Sequence, residues 1–294
     1  MAAKVGIVIV NYNGLKFQND AIRSIKEQTY KNCEIIVVDN ASTDGSVEVL
    51  LEEFSDVKVI QTGDNLGVAA GNNIGIQYAL EQGVEYIMLL NNDILLDKNL
   101  IQILLEKASE DIITIPKIYY YDKKKMIWSA GGYVDWKKGI PYHIGVNCID
   151  RDTFSKEKYV EIAPTCCMLI HRKVFRKVGK MDERYFMYFD DTDFCVRALE
   201  KGVKILYVPT AVMWHKVSSS SGGEKSKICQ YYIQRNLLYF MDKYRKKIEE
   251  DKWNYIRTRI KYIIMNYSTN KNLVYGLLGF LDYFRGRMYR KDFK

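Results

Sequence analysis

The 294-residue sequence has six cysteines but no C-x-x-C pair among them, and only three histidines. Cys166 and Cys167 are adjacent, which suits neither a zinc knuckle nor a disulfide framework. Reduced thiols in a cytosolic protein are the expectation. No apolar run approaches the roughly 18 residues of a membrane span. The run Val5 to Val10 has only Lys4 before it and no small-residue cleavage site after it, so a secretory signal is not expected. Neither G-x-G-x-x-G nor G-x-x-x-x-G-K-[ST] occurs, which removes the usual dinucleotide fingerprint and the P-loop. Acidic residues are scarce only late in the chain. Residues 225–294 hold 17 Lys and Arg against 6 Asp and Glu, a net +11 in a chain of +8, which leaves −3 for residues 1–224. A nucleic-acid-binding protein would carry its positive charge around its binding sheet rather than in a tail, so nucleic acid is not an expected partner.

What is present begins with alternation. Short apolar runs at Val5–Val10, Glu34–Val38, Val57–Ile60 and Tyr86–Leu90 read as buried strands. Between them lie helical patterns over Phe17–Gln28, Ser46–Phe54 and Val68–Glu81. Such alternation implies βαβ units and a parallel sheet. A hydrophobic content of 48% supports a sizeable core, and the length suits one large α/β domain with an appendage. We divide the chain into a catalytic domain, 1–224, and a basic amphipathic helical region, 225–294.

Three of these strands end in polar residues: Asn11-Tyr12-Asn13, Asp39-Asn40 and Asn91-Asn92-Asp93. Open α/β sheets bind ligands at the carboxyl ends of their strands. Tyr12 can stack on a base, and Asp39 can accept a hydrogen bond from a ring N–H or a ribose hydroxyl. Turn and cap chemistry accounts equally for Asp39, and Asp93 can cap a helix beginning near Asp97. The segment Asn65 to Gly75 repeats glycine every fourth residue. On a helix these line one smooth face, open to a ligand or to close packing.

The middle of the chain, 115–160, is irregular and aromatic, with Trp128 and Trp136 as stacking platforms or core. Tyr159–Ile170 reads as one strand. Asp190, Asp191 and Asp193 then open an amphipathic helix. Asp190 or Asp191 suits its N-cap, and a further acid suits proton transfer, its pKa raised by a like-charged neighbour. Asp193 and Arg197 lie one turn apart and are expected to pair. Val203–Val208 reads as a strand, followed by Pro209 and a polar loop carrying Trp214-His215-Lys216. The run Ser218 to Gly223 reads as a flexible lid.

Taken in order, VNYNG, VVDNASTDGS, NLGVAAGNNIGI, LLNND, FMYFDDTDFCVRA and the late WH resemble the family 2 inverting glycosyltransferases. The resemblance spans about residues 4–216 and leans toward the bacterial rhamnosyltransferases, more distantly toward the galactofuranosyltransferases. It implies the GT-A fold, a Rossmann-like mixed sheet flanked by helices, here with a C-terminal helical extension. It implies a nucleotide-sugar donor (dTDP- or UDP-linked), a glycan or lipid-linked acceptor, and Mg²⁺ or Mn²⁺. Tyr12, Asn13 and Asp39 then contact the nucleotide. Asn11, Asn65, Gly71, Asn72, Asn91, Asn92 and Asp190 complete the substrate side. Asp93 and His215 hold the metal, and Asp191 is the base. The first acid of the family's D-x-D is Asn91 here, which leaves the metal to Asp93, His215, diphosphate oxygens and water.

The basic tail threads apolar residues through Lys and Arg at spacings that suit two or three amphipathic helices. Their apolar faces pack on the catalytic domain or on a second copy, or the tail lies on an anionic cytoplasmic leaflet with its aromatics at headgroup level. Both hold if one face packs and another stays basic. The expected location is cytoplasmic, peripheral on the inner face of the plasma membrane.

Overall fold

The structure is a computed structural model that describes residues 2–216, 223 and 225–293. The expected lid, Ser218 to Gly223, lies outside the described residues except for Gly223. The first half runs β1 (Val5–Asn11), α1 (Leu15–Lys26), β2 (Cys33–Asp39), α2 (Ser46–Glu53), β3 (Lys58–Gln61), α3 (Gly67–Glu81) and β4 (Tyr86–Asn91). Each apolar run forms the strand expected of it. β1 lies between β2 and β4, and β3 flanks β2, all parallel. α3 packs closely on this sheet. A Cβ on Gly75 would come within 2.2 Å of Val8 Cγ1, and one on Gly71 within 2.8 Å of Val10 Cγ1. The glycine stripe therefore serves helix–sheet approach.

The sheet then changes character. β5 (Ile94–Leu96) and α4 (Leu100–Lys107) lead to β6 (Ile112–Tyr120), β7 (Met126–Ser129), β8 (Gly132–Asp135), β9 (Ile140–His143) and β10 (Cys148–Ile149). The expected single strand Tyr159–Ile170 is two, β11 (Lys158–Val160) and β12 (Cys167–His171). The loop through Pro164 separates them because they pair with different partners, β11 with β13 and β12 with β4 and β6. α5 (Arg172–Val178) and α6 (Asp190–Glu200) precede β13 (Lys204–His215). β12 runs antiparallel to β4, so the sheet is mixed rather than parallel. Its main path is β10-β7-β6-β12-β4-β1-β2-β3, with β13 beside β6.

β13 is longer than expected. It continues past Pro209 through a register shift between Val208 and Val212, an irregularity of the kind that accommodates a residue without an N–H. His215 thus ends a strand rather than sitting in a loop.

The basic region is helical: α7 (Lys227–Lys243), α8 (Lys252–Asn266) and α9 (Val274–Phe284). Ser226 and Asp251 cap α7 and α8 through Cys229 N–H and Asn254 N–H. Leu237, Leu238, Phe240 and Met241 of α7 join the same core as Val8, Ile87 and Phe194. α9 packs along α7, where Gly279 meets the Tyr231 carbonyl.

Candidate active site

Four strand ends meet at one edge. Asn11, at the end of β1, is fully buried. Its amide donates to Asp39 Oδ1 (3.0 Å) and Ser46 Oγ (3.0 Å), and its Oδ1 accepts from Asn92 Nδ2 (2.7 Å). Asp39 also accepts from Ser42 N–H (2.9 Å) and Ser42 Oγ (2.5 Å). Asn13 holds the same loop through Ser42 Oγ and Thr43 N–H. These residues brace the edge with each other's polar groups.

In front of them is a cavity of about 310 Å³. Tyr12, Asn65, Asn72, Asn91 and Asn92 line it, as does Asn40. Gly71 stands behind this wall against Val10. The opposite wall comes from Phe186 and Met187, from Lys227, Ile228 and Tyr232 of α7, and from Arg290 to Phe293. That the tail reaches the cavity is not legible in the sequence, since its basic residues carry no periodic mark of a binding role. Lys291 N–H donates to Tyr232 Oη (2.8 Å), and Arg290 pairs with Asp64.

Asn91 leads from this cavity to a second cluster. Its Nδ2 lies 3.4 Å from His215 Nε2, which lies 3.1 Å from Asp93 Oδ1. Backbone pairing makes this approach, because β5 and β13 set His215 opposite Ile94. Asp93 and His215 are both buried, and His215 Nδ1 has no hydrogen-bond partner. One carboxylate and one imidazole nitrogen at this spacing fit a divalent cation that takes its other ligands from diphosphate and water. No group of three or more His, Cys, Asp or Glu converges among the described residues, so the protein's share of such a site is small.

Trp128 connects this cluster to the acids. Its ring meets His215 edge-on (4.6 Å, 83°) and stacks on His143 (5.4 Å, 30°). Asp191 opens α6, and Phe189 in the left-handed conformation takes the N-cap expected of Asp190 or Asp191. Asp191 Oδ1 accepts from Thr192 N–H (2.7 Å). Burial raises its carboxyl pKa, while His143, Thr192 and the Thr165 backbone oppose the rise. Burial and the charge of Asp191 push Asp190 well above the usual carboxylate range, and Asp190 Oδ2 has no hydrogen-bond partner. Both carboxyls are pushed up, Asp190 the more strongly. Burial pushes the Cys166 thiol up, with Cys167, Asp93 and Asp191 adding to the rise. Asp193 is fully buried and pairs with Arg197 Nε (2.8 Å) and Lys243 Nζ (2.6 Å).

His143 is the residue that sequence reasoning passed over. It sits in an irregular stretch, and the scarcity of histidine was the one available sign. Burial lowers its pKa, against the pull of Asp191.

A mixed α/β sheet flanked by helices, with polar strand ends at a cavity, has the architecture of the GT-A class of sugar-nucleotide enzyme. The model of "Glycosyl transferase family 2" matches residues 6–179, and the chain belongs to that family. It is similar to the dTDP-rhamnosyl transferase RfbF of Shigella flexneri, 30% identical over 83% of this chain and 81% of that protein. It is also similar to the N-acetylglucosaminyl-diphospho-decaprenol L-rhamnosyltransferase of Mycobacterium tuberculosis, 23% identical over 81% and 84%. Among solved structures, a Pyrobaculum calidifontis mannosyltransferase in complex with GDP-Man and Mn²⁺ superposes with a TM-score of 0.58 at 15% identity, over 84% of this chain and 65% of that one. GalNAc-T7 with UDP, GalNAc and Mn²⁺ gives 0.60 at 18%, over 79% of this chain and 48% of that one. The chain thus spans about half to two thirds of these solved chains, and the likeness is one of fold.

Proposed function

We propose that this glycosyltransferase moves rhamnose from dTDP-rhamnose to a hydroxyl of a glycan or lipid-linked acceptor, in one displacement with inversion. The observation that carries the chemistry is the unequal acid pair, Asp190 and Asp191, facing the Asn91–Asp93–His215 cluster. The Asp191 carboxylate takes the proton of the acceptor hydroxyl as its oxygen attacks the anomeric carbon, and the bond from that carbon to the diphosphate breaks. Asp93 and His215 hold the divalent cation, which when bound offsets the charge on the departing diphosphate. Tyr12, at the mouth of the cavity, stacks on the base. Asn40, Asn65 and Asn72 offer amides to the nucleoside, and Lys227 and Arg290 offer charge to the phosphates. The choice of donor is supported by the rhamnosyltransferase relatives.

Calorimetry with dTDP-rhamnose, UDP-hexoses and UDP-galactofuranose, with and without Mn²⁺ or Mg²⁺, tests this reading. Tight binding of dTDP-rhamnose and transfer that stops in excess chelator are expected. Tight binding of a UDP-sugar and none of dTDP-rhamnose overturns the donor, and full activity in chelator overturns the metal.

A further inference from the structure

We propose that the outward face of α8, continued by the end of α9, docks the protein on an anionic lipid bilayer. α8 turns Ile256 and Ile263 inward, where both are buried. Elsewhere around the helix Trp253 is 60% exposed, Ile264 72% and Met265 80%. Trp253, Arg257, Ile260, Lys261 and Ile264 recur at the three- and four-residue steps of one helix face. The Trp253 ring stacks on Phe284 of α9 (5.1 Å, 10°), and exposed Leu281 and Phe284 extend the patch. A contiguous apolar surface with a polar rim marks an interaction site.

Charge identifies the partner. No Asp or Glu occurs between Asp251 and Asp282, and Asp282 is itself fully buried. Several other cations of the tail are paired with acids, Lys243 with Asp193, Lys252 with Asp242 and Lys291 with Asp282. Arg257 and Lys261, by contrast, are exposed on the apolar face. An acid-free helix with Trp, Ile and Met set among cations has the composition of one that lies in the headgroup layer. No described helix is long and apolar enough to cross a membrane, so the contact is peripheral.

The face is also aimed. Arg259 donates to Gln230 Oε1 (3.0 Å), and Asn272 Nδ2 to the Lys225 carbonyl (2.9 Å). The middle of α8, and the turn that follows the helix, therefore lie beside the start of α7, whose Lys227 and Ile228 line the cavity. A docked protein holds its cavity close to the bilayer surface, within reach of an acceptor hydroxyl on a lipid headgroup. That consequence rests on the proposed transfer, and the docking does not.

Flotation of the full chain with liposomes tests the docking without reference to transfer. Phosphatidylcholine alone is compared with phosphatidylcholine mixed with phosphatidylglycerol, at low and high salt. We expect binding to the anionic vesicles only, released by salt. Arg257→Glu with Lys261→Glu should weaken it at least about tenfold, and Ile264→Asn with Met265→Asn should also weaken it. Unchanged melting temperatures verify that these surface variants fold. No flotation at low salt, or equal flotation with both lipids, overturns the proposal. So does a dimer that Ile264→Asn with Met265→Asn splits in the absence of any vesicle binding, since a second copy would then cover the face.

Discussion

Asp93 and Asp191 stand on two walls of one site, and the walls are built differently. Asp93 follows β4, a strand paired on both sides by β1 and β12, and precedes β5, which pairs with β13. Backbone ladders alone bring it to His215. Asp191 follows a loop in which Phe186, Tyr188 and Phe189, none of them glycine, have φ of 64°, 63° and 68°. Left-handed backbone at bulky residues persists only where its surroundings enforce it. The enforcement comes from α7. The Asn236 amide donates to the carbonyls of Tyr185 (2.8 Å), Met187 (2.8 Å) and Tyr188 (2.9 Å). Arg235, fully buried, donates to the carbonyls of Arg184 (3.2 Å), Tyr185 (3.0 Å) and Tyr289 (2.6 Å). The Asp93–His215 side is scaffolded by sheet, and the Asp191 side by a few side chains of the helical tail. Substitutions at Arg235 and Asn236, which do not line the cavity, should therefore act on chemistry more than on the donor.

The sharpest test lies at the base itself. Asp191→Asn should lower kcat by about 10²- to 10⁴-fold and leave donor binding by calorimetry near the wild-type level. Asp190→Asn should lose much less, because its partner keeps the base role. The reverse order would mean that the wrong acid has been assigned.

Next is the support of that wall. Asn236→Leu leaves three carbonyls, one buried and two part-buried, without their donor, which should cost about 1–3 kcal/mol of stability. It should also lower kcat by roughly tenfold or more as the base loses its position. KM for donor should stay nearly constant, because the residues that line the sheet side of the cavity do not touch Asn236. A rise in KM with unchanged kcat would place Asn236 on the donor side and break the comparison. On the other wall, Asp93→Ala should abolish the response of donor binding to Mn²⁺, and His215→Ala should weaken it. Donor binding that keeps its full Mn²⁺ response in Asp93→Ala would remove the metal assignment.

The two walls were also unequally legible. β1 to β4 could be read because each is a short apolar run that ends in polar residues, and the Asp193–Arg197 pair followed from helical spacing alone. His215 was placed by resemblance but misplaced in structure, since Pro209 looked like the end of a strand that in fact passes it with a register shift. The break between β11 and β12 was invisible because Ala163, Cys166 and Cys167 are apolar on both sides of it. Arg235 was counted with the surface charge of the tail. Nothing in its neighbours Gln234 and Asn236 marks a cation buried to hold carbonyls, because the residues it serves lie far back in the chain. Burial of that kind is a tertiary fact, set by which helix happens to cover the loop.

The smallest expected effect concerns His143, which touches neither wall's backbone but leans on both through Trp128. Asp191 works as a carboxylate, so activity should be present above its folded pKa and fall as pH drops through it. Burial sets that pKa above the ordinary carboxylate value, and the positive charge of His143 is the largest influence holding it down. His143→Ala removes this influence. The acid limb of kcat/KM should then move to higher pH. Stability follows the same sign. A carboxyl whose folded pKa is raised binds its proton more tightly folded than unfolded. Its stabilising contribution is fully present below the ordinary carboxylate range and is lost as pH rises through the folded value. His143→Ala should stretch that loss to higher pH, visible as a steeper decline of Tm with pH than in the wild type. An acid limb that stays in place or moves down would show that His143 does not act on Asp191 through charge, and would leave its stacking on Trp128 as its whole contribution.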